Sequence, residues 1–397
     1  MTPSFISHTT ATTCLGRGLG PTISALRSGY GGLARCAFES VALEAFVGEI
    51  PGVDDERLPA WLTEFDCRNN RLAQLALRQD GFEEAARAAI SRVGSSRFGV
   101  FVGTSTSGIL ETEIAYRHRD VRTGALPGTL SYRGSHNTFS VGAFLRELLE
   151  VEGPTVVVST ACSSSAKVFG CAQRMIAAGL IDAALVGGVD SLCLTTLYGF
   201  HSLQLTGTGP CRPFAADRDG ISIGEAGAFA LLERPRRAGL SVDIALLGVG
   251  ESNDAYHLSS PHPEGLGARL AMQAALSAAG LKAEQVDYLN LHGTATPSND
   301  RAESRAVREL FGASMPCSST KGATGHTLGA AGALEAVISM IAIEQGFMPG
   351  GINTDAVDPE LDVGYLTATL GQRPATVLSN SFGFGGTNCS LLFGRLG

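Results

Sequence analysis

The sequence predicts an α/β fold in which helices cover both faces of the sheets. Short, uninterrupted runs of apolar and β-branched residues alternate with helical segments, as in strands that are buried on both faces. The same order of strand, tight turn and helix occurs in both halves of the 397-residue chain. Glycine is unusually common, with 50 residues, and it permits the tight turns and close backbone contacts that this fold requires.

The first half contains four predicted strands and one long helix. The second strand leads into the turn 160–165, and Gly179 is suited to end the helix that follows, because glycine adopts the left-handed conformation easily. The predicted strands span residues 98–102, 155–159, 183–186 and 228–233, the small-residue stretch 103–108 follows the first of them, and the helix spans residues 166–178.

The second half repeats this plan, which indicates a duplicated βα unit. We divide the chain into halves at residues 1–240 and 241–397, because the polar stretch 237–243 follows a predicted strand. In the second half, strands are predicted at 286–291, 377–380 and 389–393 and helices at 301–311 and 330–344, residues 316–318 lead into a glycine-rich loop at 321–329, and a further loop is predicted at 381–388.

The composition argues against several classes of protein. The net charge of −8 and the pI near 5.5 argue against nonspecific nucleic-acid binding, which needs a basic face. The nine cysteines have no zinc-binding spacing, so we expect reduced thiols in a cytoplasmic protein. Neither a signal peptide nor an apolar run of about 18 residues is evident, so no membrane-spanning helix is expected.

Cys162 follows a predicted strand and lies just before a predicted helix, among small residues. A cysteine in such a place is more often a core residue than a nucleophile. However, a helix that begins at Ser163 directs its amides and the positive end of its dipole at the sulfur. This arrangement lowers the pKa of a thiol and favours the thiolate, so Cys162 is a candidate nucleophile.

Two histidines and a lysine lie in stretches rich in glycine and threonine. His292 ends a predicted strand within HGTATP, and Lys321 and His326 lie within KGATGHTLGAAG. A lone histidine at a strand end is usually structural, and a glycine-rich loop is often only a turn before a helix. Lys321 comes too early in its loop for a phosphate-binding P-loop. The three residues are candidates for chemistry other than phosphate binding.

Together with the closing segment NSFGFGGTN, these stretches resemble the β-ketoacyl-acyl-carrier-protein synthases of the type I/II condensing-enzyme family. The shared pattern is a cysteine in TACSS, a histidine in HGTAT, a lysine and histidine in KGATGH, and NSFGFGGTN, in the family's order. Residues 211–227 also resemble a family segment, and the resemblance spans about residues 98–393. It implies a thiolase-like fold with duplicated βα halves in a layered α-β-α-β-α architecture.

The resemblance implies roles for the residues that match the family's motifs. Cys162 would be the acylated nucleophile. His292 and His326 would promote malonyl decarboxylation, and Lys321 would lie beside the second histidine. Glu303, eleven residues after His292, would hold Lys321 and its loop.

Other matches concern the substrate path. The backbone amides of Cys162 and Phe384 would form an oxyanion hole, and the Phe384 ring would be a gate for the acyl chain. Thr106 would lie at the end of the acyl pocket. Further matches are the substrate-contacting residues Thr294, Thr296 and Phe382, and the positions Asn290, Glu335, Ser379 and Asn380, which hold a monovalent cation in some relatives.

The reaction that the resemblance implies is a decarboxylative Claisen condensation in fatty-acid or polyketide/polyene-type biosynthesis. An acyl thioester on Cys162 and malonyl-acyl carrier protein would give 3-oxoacyl-acyl carrier protein. The phosphopantetheine of the carrier protein brings the substrates, so we expect no metal or redox cofactor. The expected partners are the acyl carrier protein and a second copy of this chain, with a sister ketosynthase subunit as the alternative.

Four alternatives compete with this interpretation. Thiolases use a second cysteine as base, and type III ketosynthases pair cysteine with histidine and asparagine, so two histidines with Lys321 favour the two-histidine type. A noncatalytic partner subunit, similar to a chain-length factor, typically lacks the nucleophile, whereas this chain retains Cys162. A serine hydrolase is disfavoured because no G-x-S-x-G elbow joins a predicted strand to a predicted helix, and the match at residues 220–224 precedes a predicted strand instead.

Overall fold

The computed structural model describes residues 3–234 and 244–395. The boundary predicted at residues 237–243 lies outside the described residues. In the described ranges the strands are β1 (Ser4–Thr13), β2 (Gly16–Arg17), β3 (Ala34–Arg35), β4 (Phe46–Gly48), β5 (Phe98–Gly103), β6 (Thr155–Val158), β7 (Ala183–Asp190), β8 (Ile223–Gly224), β9 (Ala226–Glu233), β10 (Ile244–Asn253), β11 (Tyr288–Asn290), β12 (Pro316–Ser318), β13 (Gly364–Tyr365), β14 (Thr376–Gly383) and β15 (Thr387–Arg395).

The helices follow the strands in the order that the α/β pattern predicts. In the described ranges the α-helices are α1 (Leu19–Ser28), α2 (Arg68–Leu77), α3 (Phe82–Val93), α4 (Ile109–Arg117), α5 (Ser140–Leu148), α6 (Ser164–Ala177), α7 (Leu194–Ser202), α8 (Leu266–Ala279), α9 (Pro297–Phe311), α10 (Lys321–Thr324) and α11 (Ala331–Gln345).

The two halves of the main sheet have the same topology. The strand order is β6-β5-β7-β9-β1 in the first half and β12-β11-β14-β15-β10 in the second. Counted along the chain within each half, both orders are third, second, fourth, fifth, first. In each order the first three strands are parallel to one another. The fourth strand is antiparallel to both of its neighbours, the third and the fifth. This repeat agrees with the predicted duplication.

The half-sheets are joined where the start of β1 pairs with the start of β10. Between them lie α6 and α11, which pack against each other and against strands of both halves. On the outer faces, α2, α3 and α5 cover the first half, and α8 covers the second with α9 packed beside it. The predicted five-layer α-β-α-β-α arrangement is therefore present, with the two sheet layers connected along one edge.

The core of the central layer is apolar and fully buried. Phe169 of α6 and Leu334 of α11 belong to one cluster with strand residues of both halves. The stretch Leu328–Gln345 is long enough to span a membrane and has a mean hydropathy of 1.3, although Glu335 and Glu344 interrupt its apolar residues. Since 89% of that stretch is buried inside the fold, it is a core segment.

Two predicted loops are shorter than expected. The glycine-rich loop 321–329 begins with the helical turn α10 and ends in a 3-10 turn, Leu328–Ala330. The loop predicted at 381–388 is only the 3-10 turn Phe384–Gly386, because β14 and β15 continue to either side of it as a hairpin. The closely spaced glycines of both segments caused these errors, since glycine favours turns when it is considered without its tertiary partners.

Candidate active site

The candidate residues come together at the carboxyl ends of the parallel strands of both halves. The turn that carries Cys162 follows β6, His292 follows β11, and the segment with Lys321 and His326 follows β12. Because both half-sheets have the same topology, these loops meet above the central helices α6 and α11. The fold therefore brings together residues from both halves, as the resemblance implies.

Cys162 lies in a constrained turn immediately before α6. The preceding residue, Ala161, has a φ of 51°, a left-handed conformation that is uncommon for a residue with a side chain. Ser164 fixes this turn, since its hydroxyl donates to the Ala161 carbonyl and accepts from Thr160 N. Only 6% of the Cys162 surface is exposed, so its thiol faces an interior space.

Both histidines lie beside the thiol. His326 Nε2 is 3.0 Å from Cys162 Sγ, and the His292 and His326 rings meet edge to face with their centroids 5.3 Å apart. The ligand atoms of the three side chains lie within 4.8 Å of one another. All three are buried, which strengthens the electrostatic interactions between them.

The hydrogen bonds at Nδ1 determine the tautomer of each imidazole. Leu328 N donates to His326 Nδ1 at 3.3 Å, and Lys321 Nζ lies 3.5 Å from His292 Nδ1. Because an ammonium is only a donor, both Nδ1 atoms act as acceptors and both ring protons reside on Nε2. Burial and the Lys321 charge hold the pKa of each histidine well below its usual value, so both rings are neutral N–H donors.

The same tautomers make these three residues a poor metal site. A histidine that binds a metal through Nε2 almost always donates its Nδ1–H to a carboxylate, a carbonyl or water. Here a backbone N–H faces Nδ1 of His326 and an ammonium faces Nδ1 of His292. The spacing of Cys162, His292 and His326 would accept a metal, but their hydrogen-bond partners do not fit one.

The helix start was expected to lower the pKa of Cys162, and the structure opposes this expectation. Burial raises the pKa of the thiol to about 11, although the Lys321 charge and the Phe384 N–H counteract the shift. The resting thiol is therefore protonated, and the thiolate has to be stabilised as the thiol reacts. His326 Nε2–H and the amide of Phe384 are the donors placed to stabilise it.

Lys321 makes its ion pair with Glu335, and not with Glu303 as predicted. Lys321 Nζ forms a short ion pair with the Glu335 carboxylate and also donates to the His292 carbonyl oxygen at 2.6 Å. Burial raises the pKa of Glu335 to about 7, while the Lys321 charge lowers it. Lys321 thus fixes His292 through both its ring and its backbone.

Glu303 instead fixes the backbone of the His292 loop. Its two carboxylate oxygens accept from His292 N and Gly293 N, both at 2.8 Å, and it also accepts from Asn380 at 3.2 Å. Burial raises the pKa of this carboxyl to about 7 despite these donors. The resemblance correctly implied that Glu303 is buried at this site, but Glu303 holds the His292 loop, and Lys321 pairs with Glu335 instead.

The proposed monovalent-cation positions fit such an ion. In the part of the chain that the structure describes, Asn290 Oδ1, Glu335 Oε2 and Ser379 Oγ are buried and have no hydrogen-bond partner. Asn290 and Ser379 are register neighbours on β11 and β14. The Asn380 amide oxygen, in contrast, already accepts from Ser390. A bound cation would satisfy the three unpaired oxygens, which are hard ligands.

A cavity leads from the surface to Cys162. Thr294 and Thr296 line it as predicted, with their hydroxyls 2.9 Å apart, and Phe382 lines it beside the His292 ring. Several wall residues lie outside the motifs, and only the fold brings them here. These residues are Phe200, Leu205, Asp254, Pro261 and Asn299.

Phe384 lies in the wall of this cavity, on a turn that contacts the opposite rim. Its ring lies 5.7 Å from that of Phe200. The next residue, Gly385, donates from its backbone N to the Leu258 carbonyl oxygen at 2.7 Å and has a φ of 78°. Glycine is needed at this left-handed position, so the turn has the backbone freedom that the predicted gate requires.

Thr106 does not line this cavity. It is fully buried, and its hydroxyl donates to Asp190 Oδ1 at 2.8 Å and accepts from Ser191 N at 3.3 Å. A buried hydroxyl needs a hydrogen-bond partner, and Asp190 is that partner. The role of Thr106 at the end of an acyl pocket stays a prediction.

Comparison with known proteins identifies the family. Residues 70–238 match the N-terminal domain of β-ketoacyl synthases and residues 244–355 match the C-terminal domain. The chain is 32% identical over 365 residues to 3-oxoacyl-[acyl-carrier-protein] synthase 2 of Vibrio cholerae. That alignment covers 84% of this chain and 86% of the Vibrio enzyme. It is 40% identical over 263 residues to the mitochondrial 3-oxoacyl-[acyl-carrier-protein] synthase of Arabidopsis thaliana. That alignment covers 62% of this chain and 57% of the plant enzyme.

A solved structure agrees over the full length of the chain. The ketosynthase ApeO in complex with its chain length factor ApeC, from Xenorhabdus doucetiae, has a TM-score of 0.88 at 38% identity. The match covers 100% of this chain and 98% of that chain. Fold, site geometry and sequence therefore agree, and the chain belongs to the β-ketoacyl synthase family of condensing enzymes.

Proposed function

We propose that the protein condenses an acyl thioester with malonyl-acyl carrier protein to give 3-oxoacyl-acyl carrier protein. The observation that carries this proposal is the placement of two Nε2–H donors, from His292 and His326, beside the Cys162 thiol. A nucleophile for the acyl group and two donors for an enolate oxygen are the groups that this reaction needs.

In the first half-reaction, the Cys162 sulfur attacks the carbonyl carbon of the acyl thioester. The new bond joins Sγ to that carbon, and the bond between the carbon and the carrier's sulfur breaks. The thiol proton leaves with the carrier's thiol. The backbone amides of Cys162 and Phe384 stabilise the tetrahedral oxyanion, and one such donor typically contributes about 3–4 kcal/mol.

In the second half-reaction, malonyl-acyl carrier protein loses CO₂ and its thioester becomes an enolate. The Nε2–H groups of His292 and His326 donate to the enolate oxygen, where negative charge develops. The enolate carbon then attacks the acyl-Cys162 carbonyl, and the carbon–sulfur bond to Cys162 breaks. Taking up one proton regenerates the thiol, and 3-oxoacyl-acyl carrier protein leaves.

The chain's own residues explain why neutral histidines suit this step. A protonated imidazole beside Lys321 would add a second buried positive charge, which burial disfavours. Lys321 instead donates to the carbonyl oxygen of His292 and, with Glu335, fixes this ring. A monovalent cation at Asn290, Glu335 and Ser379 would supply positive charge that keeps Glu335 ionised.

We infer that the substrates enter on the phosphopantetheine arm of an acyl carrier protein through the cavity lined by Thr294 and Thr296. The threonine hydroxyls are polar groups suited to amides of that arm, while Phe200 and Phe384 form an apolar wall suited to an acyl chain. No cofactor is needed, and we place the reaction in the cytoplasm, in fatty-acid or polyketide/polyene-type biosynthesis.

Intact-protein mass spectrometry tests the proposed function. Incubation with acyl-acyl carrier protein is expected to add the mass of one acyl group, located on the Cys162 peptide. Malonyl-acyl carrier protein should then remove this adduct and yield a 3-oxoacyl product. If no adduct forms on folded protein, the chain is a noncatalytic partner subunit similar to a chain-length factor.

We also propose that the protein pairs with a second subunit of the same fold across β6. This strand is at the end of the strand order, and its outer edge has no strand partner within residues 3–234 and 244–395. Its neighbour α5 follows Phe139, whose surface is 42% exposed, and Tyr132 nearby is 64% exposed. An open edge beside exposed aromatic rings favours a subunit interface.

Light scattering is expected to give a dimer of the 41.1-kDa chain, since a homodimer is the simplest way to cover this edge. Phe139→Glu should shift the protein towards monomer because it places a charge in the interface. Leu180→Glu is the matched control, since Leu180 is 60% exposed at the end of α6, away from β6. A stable wild-type monomer would exclude the homodimer and leave pairing with a sister subunit, as in the complex of ApeO with ApeC.

A further inference from the structure

Asp190 is a fully buried carboxylate at the carboxyl end of β7, outside the substrate cavity. Among the described residues it accepts hydrogen bonds from five donor groups. Four of them belong to the loop after β5, and the fifth is the backbone N–H of Ala330 at 3.2 Å. The four loop donors are Thr104 Oγ1, Ser105 N, Thr106 N and Thr106 Oγ1, each 2.8 Å from Asp190 Oδ1.

The loop after β5 connects Asp190, through hydrogen bonds, to the turn that carries Cys162. Ser105 donates from its backbone N to Asp190, and its hydroxyl donates to the Ala161 carbonyl oxygen at 3.5 Å. Ala161 is the left-handed residue directly before Cys162. A shift of this loop would therefore also move the turn that holds the Cys162 sulfur.

Ala330 connects Asp190 to the segment that carries His326, on the other side of the sulfur. Ala330 N–H ends the 3-10 turn Leu328–Ala330, and Leu328 N in that turn donates to His326 Nδ1. This bond fixes the Nε2–H tautomer that points at Cys162 Sγ. One carboxylate thus anchors the two segments whose side chains meet at the 3.0 Å contact between Sγ and Nε2.

We propose that Asp190 is a positioning residue that sets the distance between Cys162 Sγ and His326 Nε2. The carboxylate suits this task because each of its partners is a donor, and an ionised carboxylate only accepts. An asparagine has the same shape but would direct an NH₂ group at some of these donors. The two segments would then separate, and His326 would stabilise the thiolate less well. The effect on catalysis rests on the proposed function, whereas the effect on the thiol does not.

The test measures the rate at which iodoacetamide alkylates Cys162 as a function of pH, read by peptide mass. The groups that face this thiol are Lys321, Glu335, His292, His326 and the backbone amides of Cys162 and Phe384. In Asp190→Asn, weaker donation from His326 should raise the apparent pKa of Cys162 by about one unit. One unit corresponds to a rate about tenfold lower at any pH below that pKa.

The direction of the shift separates positioning from a simple charge effect. If Asp190 acted only as a nearby negative charge, its neutralisation would lower the pKa of Cys162 and speed alkylation. Faster or unchanged alkylation in a folded Asp190→Asn protein would therefore overturn the proposal. The readout needs no carrier protein, so the result holds even if the protein does not condense acyl groups.

Two further variants keep the test decisive. Thr104→Val removes one donor to Asp190 and should shift the alkylation profile in the same direction by a smaller amount. If Asp190→Asn does not fold, an unchanged profile in Thr104→Val overturns the proposal. Ser107→Ala is the matched control, because Ser107 lies in the same buried loop but its hydroxyl donates to Ser135 O and Asn137 O. Its profile should equal that of the wild type.

Discussion

Cys162→Ala is expected to abolish both acyl labelling and condensation. The variant retains the turn, because Ser164 and not the thiol fixes Ala161, but it has no atom that can accept the acyl group. The loss should be on the order of 10⁶-fold, as when other acyl-transfer enzymes lose a nucleophile. Acyl adducts are measured by intact mass, and product by separation of the carrier-bound chains. Condensation at the wild-type rate would overturn the assignment of the nucleophile.

Cys162→Gln is the informative partner of this variant. The glutamine amide can place its carbonyl oxygen near the backbone amides of residue 162 and Phe384, as an acyl group would. His292 and His326 remain, so CO₂ release from malonyl-acyl carrier protein should continue although condensation stops. The measurement is CO₂ release in the two variants under the same conditions. Release no faster in Cys162→Gln than in Cys162→Ala would argue against an oxyanion hole at these amides.

Replacement of either His292 or His326 by alanine should lower malonyl decarboxylation about 10²–10³-fold. Each variant loses one of the two donors to the enolate oxygen, and removing one such donor has this cost in other enzymes. Acylation should differ between them, because only His326 contacts the Cys162 sulfur at 3.0 Å. His292→Ala should still accept an acyl group, whereas His326→Ala should do so more slowly. Acyl loading and CO₂ release are measured separately.

His118→Ala is the control, because His118 is exposed on the surface and far in sequence from the site. It should leave both half-reactions unchanged. The pH dependence provides a second check, since the pKa of both active-site histidines is lowered. The neutral rings persist as the pH falls, so decarboxylation should not decline near pH 6.5 but only well below it. Normal decarboxylation in both alanine variants would contradict the two-histidine mechanism.

The sequence predicted the arrangement of elements and which motif residues come together at the site. The strand before Cys162 and the helix after it are present as β6 and α6, and Gly179 has the predicted left-handed conformation, with a φ of 73°. These predictions succeeded because they depend on local patterns: apolar runs, small residues and the conformational freedom of glycine. The motif residues were identifiable because each motif is contiguous in the chain.

Interactions between distant segments could not be predicted in this way. The ion pair between Lys321 and Glu335 and the role of Asp190 depend on how α10, α11 and the loop after β5 pack together. The pKa of Cys162 was misjudged because the sequence shows the start of the helix but not the depth of burial. Burial has the larger effect on this thiol and raises its pKa.

The pairing of β1 has a consequence for the way the protein is made. Its residues Phe5–Thr13 pair with β9, and its first residues also pair with Ile244–Leu246 of β10, more than 200 residues later in the chain. At about 5–20 residues per second, the nascent chain leaves the ribosome with this strand unpaired for roughly 10–45 seconds. The central helix α11 is synthesised later still. The central layer therefore cannot form before α11 has been synthesised, and an unpaired strand of this kind is where a chaperone would be needed to prevent aggregation.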